Sequence, residues 1–173
     1  MAIKTAAGKG KHKGTGKPLV ETPIGHLAAS GLNAVLGYQL AQAAVATTAL
    51  FVQEVGGPQD LRPVEYTVLQ LIAENPGTSP VRLAKALAVT KPNITMWVDR
   101  LVGRHLVKRS PSASDKRAQE LRTTAAGAAL AKAATRALRT AEDQALRHLS
   151  AGERAILAEL LHKVARSVAT GTA

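Results

Sequence analysis

A chain of 173 residues suits one domain with a helical annex, and 46% hydrophobic residues with only 2% aromatics implies a core built from Ala, Leu and Val, which favours helices over an all-β sandwich. The lack of cysteine excludes a disulfide scaffold, a thiolate metal site and a Cys nucleophile, and no apolar run reaches the roughly 18 residues of a membrane span or follows the basic start as a leader would, so a cytoplasmic protein without membrane contact is expected. Lys and Arg outnumber Asp and Glu by 23 to 12, and the resulting +11 attracts polyanions.

That charge is unevenly placed. Residues 1–18 carry five Lys and no acid, whereas residues 19–78 carry one base and five acids. Residues 79–123 hold ten bases against three acids. The start of the chain, taken as residues 1–22, reads as a flexible basic arm, since its Gly, Lys and Thr offer nothing to offset the entropy of ordering. Such an arm suits phosphate tracking or mere solubility. Residues 23–57 follow as a helical segment. Leu32, Val35, Leu36, Leu40, Ala43, Ala44, Leu50 and Phe51 recur at three- and four-residue steps, which predicts one long helix from Ile24 to Val55, ended by Gly56, Gly57 and Pro58. At about 1.5 Å per residue it outruns a small domain, so part of its apolar face is expected against a partner chain.

A second helix is expected from Pro63 to Glu74, with Val64, Val68, Leu71 and Ile72 inward. Ser79 suits the N-cap of a third, Pro80 to Leu87. Thr90 suits that of a fourth, whose inward stripe is Ile94, Trp97, Val98, Leu101 and Val102. Leu106–Ser110 and Ala118–Thr123 read as a hairpin around a polar, basic tip, and a fifth helix follows from Thr124 to Leu149. Ser150 and Glu153 form a capping box for a sixth, which carries Ile156, Leu157, Leu160, Leu161, Val164 and Val168. The fold class is thus mainly α, in the order α-α-α-α-β-hairpin-α-α. Residues 61–123 make a winged helix-turn-helix, and residues 124–173 follow it as two further helices.

Two short helices before a basic-tipped hairpin suit duplex DNA. The fourth helix would lie in the major groove with Lys91, Asn93, Thr95 and Met96 toward the bases, since Asn pairs with adenine and Lys with the acceptors of guanine. Thr90, Ser79 and the helix start would meet phosphates. Arg100 is placed on the same DNA face; for it and Arg104 the choice lies between phosphate contact and internal ion pairs. Lys116 and Arg117 at the hairpin tip suit phosphate and minor groove. Catalysis is not expected: the five His lack metal-ligand spacing, and neither a P-loop nor a G-x-S-x-G occurs. No metal and no cofactor are expected.

The stretch from Leu61 to Gly127 resembles the MarR family of bacterial winged-helix regulators. The matching pieces are LRPVEYTVLQLIAENPG, LAKAL, T-x-x-V-D-R-L ending at Leu101, LVKR, S-D-K-R-A at 114–118 and T-x-x-G, with LGYQL at 36–40 upstream. The resemblance implies a homodimer straddling a palindromic operator, with residues 23–57 and 124–173 forming the helical dimerisation domain, Arg117 entering the minor groove and Asp115 orienting the Arg117 side chain. His105 departs from the family's usual Gly, and Thr123 from its common Leu. The resemblance also implies a small-molecule effector, often an aromatic acid. In a chain so poor in aromatics, Trp97 and Tyr38 are the candidate stacking residues, with Ser30, Asn33 and Gln42 supplying polar groups. The expected function is therefore a transcriptional regulator, most simply a repressor released by a phenolic, cinnamate or indole-type carboxylate. The alternative is an architectural, nucleoid-type DNA coat without ligand response.

Overall fold

The computed structural model describes residues 21–111 and 119–170. The basic arm, apart from its last two residues, and the wing-tip residues Asp115, Lys116 and Arg117 lie outside them. The chain divides into two compact units, one ending at Val45 and the other beginning at Ala46.

In the first unit the helix expected from Ile24 does not begin until Leu36, and α1 runs Leu36–Phe51. Residues 21–35 instead form turns, with Glu21 and Ala28 bridged in antiparallel fashion. The cause is local. Pro23 and Gly25 punctuate the segment, Gly25 takes a φ of 81° and His26 one of 51°. Thr22 also offers the backbone an alternative to the helix, its hydroxyl donating to the Ile24 carbonyl and accepting from the Leu27 amide. Ala29 is the buried residue of this stretch.

The glycine pair does not end the helix either. A π-helical turn, Val52–Gly56, carries it into the short α2, Gly57–Gln59, and the chain leaves at Asp60 in a left-handed conformation with φ of 44°. Beyond it stand α3 (Pro63–Glu74), α4 (Pro80–Ala86) and α5 (Lys91–Gly103). Strands β1 (Val107–Pro111) and β2 (Gln119–Thr123) pair antiparallel, Arg109 opposite Leu121, before α6 (Ala125–Ala145) and α7 (Ala151–Thr170). The element order and the winged helix-turn-helix class stand as read from the sequence.

One core holds the second unit together. Val68, Leu69 and Ile72 of α3 meet Leu83 of α4, then Ile94, Val98 and Leu101 of α5, Leu121 of β2 and Ala131 and Ala134 of α6. Leu69 is buried, while Val64 and Leu71 are only half-covered, so the α3 stripe is rotated slightly from the one expected. The wing is tied to the body by backbone bonds: the Leu121 amide donates to the Thr78 carbonyl at 2.8 Å and the Gly77 amide to the Leu121 carbonyl at 2.9 Å. Thr124 couples α6 to the end of α5, its hydroxyl donating to the His105 carbonyl at 2.8 Å and accepting from the Gly127 amide at 3.0 Å. At the last helix the expected capping box is formed, with the Ser150 amide donating to the Glu153 carboxylate and the Glu153 amide to the Ser150 hydroxyl. Those bonds from Ser150 hold the Glu153 carboxyl below its ordinary pKa.

Candidate nucleic-acid interface

Helix α5 is built to turn one face outward. Thr90 takes an extended conformation at its N-cap and Pro92 pre-sets the first turn. The Thr90 side chain makes no cap bond, in contrast to Ser79, whose hydroxyl accepts from the Arg82 amide at the start of α4. On the outer face Lys91, Asn93, Thr95 and Met96 are all exposed, and Ile94, Val98 and Leu101 are buried beneath them. Met96 stands 53% exposed, an apolar side chain of a size that packs on a thymine methyl. The Thr95 hydroxyl donates back to the Lys91 carbonyl at 3.0 Å, which leaves it an acceptor toward anything in front of the helix. The helix start also presents orphan amides beside Lys91, an arrangement suited to a phosphate oxygen.

Arg100 is engaged within the protein. Its guanidinium lies 3.1 Å from Asp60 and 3.3 Å from Glu65, whose side chain is 1% exposed. Glu65 is held from its other side by the Arg62 amide at 3.0 Å. Arg104 completes the clamp, donating to the carbonyls of Asp60 and Gln59 at 2.6 and 2.8 Å. Both arginines thus fasten α5 to the turn that leads out of α2, so of the two readings open for Arg100 the structure shows the internal ion pair. The reason is Asp60, forty residues away, whose left-handed turn ends the preceding helix and leaves carbonyls that need donors.

A further pair was not singled out from the sequence. Asp99 of α5, one turn beyond Thr95 on the exposed side of the helix, meets Arg109 of β1 at 2.6 Å and links that side to the wing strand. The V-D-R-L and LVKR motifs contain both partners, and a periodicity argument sees each only as a surface charge. Trp97, expected in the inward stripe, is half-covered and packs against the core. Tyr38, Ser30, Asn33 and Gln42 lie in the first unit. There the Tyr38 hydroxyl is buried without a hydrogen-bond partner among the described residues, while Asn33 accepts from the Gln39 side chain. No described helix is long and apolar enough to cross a membrane.

Residues 61–118 match the family model described as the MarR family. The chain is 33% identical over 129 residues to the HTH-type transcriptional repressor NicR of Pseudomonas putida, covering 75% of this chain and 81% of that protein. It is 32% identical over 157 residues to a putative transcriptional regulatory protein for the hcr operon of Thauera aromatica, covering 90% and 92%. Among solved structures it is similar to the transcriptional repressor CouR bound to a 23-mer DNA duplex, at a TM-score of 0.75 and 32% identity over 82% of this chain and 99% of that one. The chain belongs to the MarR family, whose members are transcriptional regulators and not enzymes.

Proposed function

We propose that this protein is a transcriptional repressor that binds a palindromic operator as a homodimer and is released by a small aromatic carboxylate of phenolic, cinnamate or indole type. The observation that carries the DNA reading is the outward face of α5. Lys91, Asn93, Thr95 and Met96 stand exposed together, while ion pairs of Arg100 to Asp60 and Glu65 and of Asp99 to Arg109 fix the helix that carries them. Base edges are read by such a face, and the helix start and Ser79 serve the phosphates. The similarity to NicR, named a repressor, and to CouR, solved on DNA, supports the same reading. Residues 23–57 and 124–173 form the dimerisation domain in this scheme, and 61–123 the DNA-binding domain. At the wing, Arg117 enters the minor groove and Asp115 orients the Arg117 side chain.

The effector reading rests on Trp97, whose half-covered ring offers a stacking surface. A ring stacked on Trp97 and one charge-assisted hydrogen bond supply about 2–4 kcal/mol. Each tenfold preference for the released geometry requires about 1.4 kcal/mol, so this interaction suffices for a useful switch. Tyr38, with Ser30, Asn33 and Gln42, is the corresponding candidate group of the first unit.

The test is selection of bound duplexes from a random pool at physiological salt, with and without a panel of aromatic acids. An enriched palindrome that is lost with one acid is expected. A palindrome indifferent to every acid would remove the effector, and tight binding with no enrichment would replace the regulator by the architectural reading. On the selected operator, Arg117→Ala is expected to weaken binding by about 1–3 kcal/mol, and an unchanged affinity would take Arg117 out of the interface.

A further inference from the structure

Between α3 and α6 lies a groove of about 640 Å³ whose walls differ in character. Its floor is apolar, made by Ala73, Ala128 and Ala131. Along its rim α6 places Lys132, Arg136 and Arg139, at steps of four and three residues that bring their side chains to one side of the helix. Two carboxylates also line it, and both have donors already: Glu74 accepts from the Gln70 amide group at 2.7 Å, and Asp143 is paired with Arg154 at 3.0 Å. None of the three cations has an ion pair among the described residues. The two walls are pinned to each other by polar contacts, since the Thr135 hydroxyl meets the Tyr66 hydroxyl at 2.8 Å and the Gln70 side-chain oxygen at 3.3 Å across the two helices.

We propose that this groove is a binding site for a small polyanion, a molecule with clustered phosphoryl or carboxylate groups. Three like charges along about two turns of one helix repel one another, and an anion between them removes that repulsion. From Lys132 to Arg139 the helix rises about 10 Å at 1.5 Å per residue, so one monovalent anion cannot engage all three while a polyanion can. The alanine floor accepts an apolar body and has no donors to compete with the cations. The operator is not the occupant: α5 carries the DNA face, and α3, packed on both α5 and α6, stands between that helix and the groove.

The test is calorimetric titration of the full chain with pyrophosphate, citrate and acetate at constant ionic strength. Pyrophosphate or citrate is expected to bind at one site per chain at least tenfold more tightly than acetate, and which of the two prevails tells phosphoryl from carboxylate recognition. Arg136→Gln with Arg139→Gln should weaken that binding at least tenfold while leaving the thermal transition in place, and Lys91→Gln should leave the binding unaltered. Lys132→Gln alone gives a milder loss and serves if the double variant is unstable. Equal binding of all three anions, loss of binding in Lys91→Gln, or full affinity in the α6 variants would each overturn the site. Saturating operator duplex should not displace the anion; displacement that persists in the Arg136 and Arg139 variants would assign the binding to the DNA face.

Discussion

Two residues of the junction between α5 and α6 carry opposite backbone demands. Gly127 has no room for a side chain, since a Cβ there would land on the carbonyl oxygen of Leu106 and lie 2.8 Å from its carbon. Both contacts are backbone, so no rotamer change relieves them, and α6 would have to shift off the end of β1. Gly127→Ala is expected to cost about 2 kcal/mol or more, lowering the melting temperature by roughly 4–8 °C. Gly103→Ala is the control: nothing lies within 4 Å of its Cβ position, and the change should be neutral or stabilising by up to about 1 kcal/mol. Equal effects of the two substitutions would remove the clash as the cause. His105 shows the reverse, a side chain where the backbone favours none, with φ of 57°. That conformation strains an L-residue by about 1–2 kcal/mol, and the exposed imidazole has little packing to lose. His105→Gly should therefore stabilise the protein by about 0.5–1 kcal/mol after the glycine's own entropy cost, and a lower melting temperature would count against the strain.

At the scale of elements, the wing is tied to the body by the backbone bonds at Leu121 and to α5 by the Asp99–Arg109 ion pair. Asp99 and Arg109 are half-exposed, so the pair adds little to stability, about 0–1 kcal/mol. Its effect is geometric. Asp99→Asn is expected to leave the melting temperature within a few degrees and to weaken operator binding several-fold, because the wing is no longer held to the helix in the groove. Rescue by no means other than restored charge, with Asp99→Glu intermediate, separates this from simple loss of folding; unaltered affinity in Asp99→Asn would sink the idea. The fragments of this apparatus were unequally legible. Helices α3 to α5 were readable because caps and breakers at Pro63, Ser79, Thr90 and Pro92 agree with the apolar spacing. Reading α1 from spacing alone placed its start twelve residues early, because Thr22, Pro23 and Gly25 outweigh a pattern that Leu32 and Val35 continue. The exposure of Lys91, Asn93, Thr95 and Met96 together followed from helical phase. The ion partners of Arg100 did not, since Asp60 and Glu65 are brought to it only by the fold.

On the scale of the whole molecule, the uncovered apolar surface calls for a second copy. Ile156, Leu157, Leu160, Leu161 and Val164 of α7 are all between 38% and 58% exposed, and in the other unit Ile24, Leu27, Leu32, Val35 and Leu36 are between 46% and 77% exposed. Leu157, Leu160, Leu161 and Val164 recur at steps of three, one and three residues, so they form one stripe. A stripe of this kind on a chain of +11 is stable in water only when covered, and each leucine fully buried at an interface contributes about 2 kcal/mol. Two glutamates in that stripe would have to be desolvated without partners. Leu157→Glu with Leu160→Glu is therefore expected to halve the mass seen in sedimentation and to abolish the rise of melting temperature with protein concentration that a homodimer shows. Operator binding should fall by far more than the loss of any single base contact, because a palindrome is read by two linked halves and one half alone binds without that linkage. A dimer mass retained in the double variant would move the interface off α7, and full operator affinity in a proven monomer would end the two-half reading altogether.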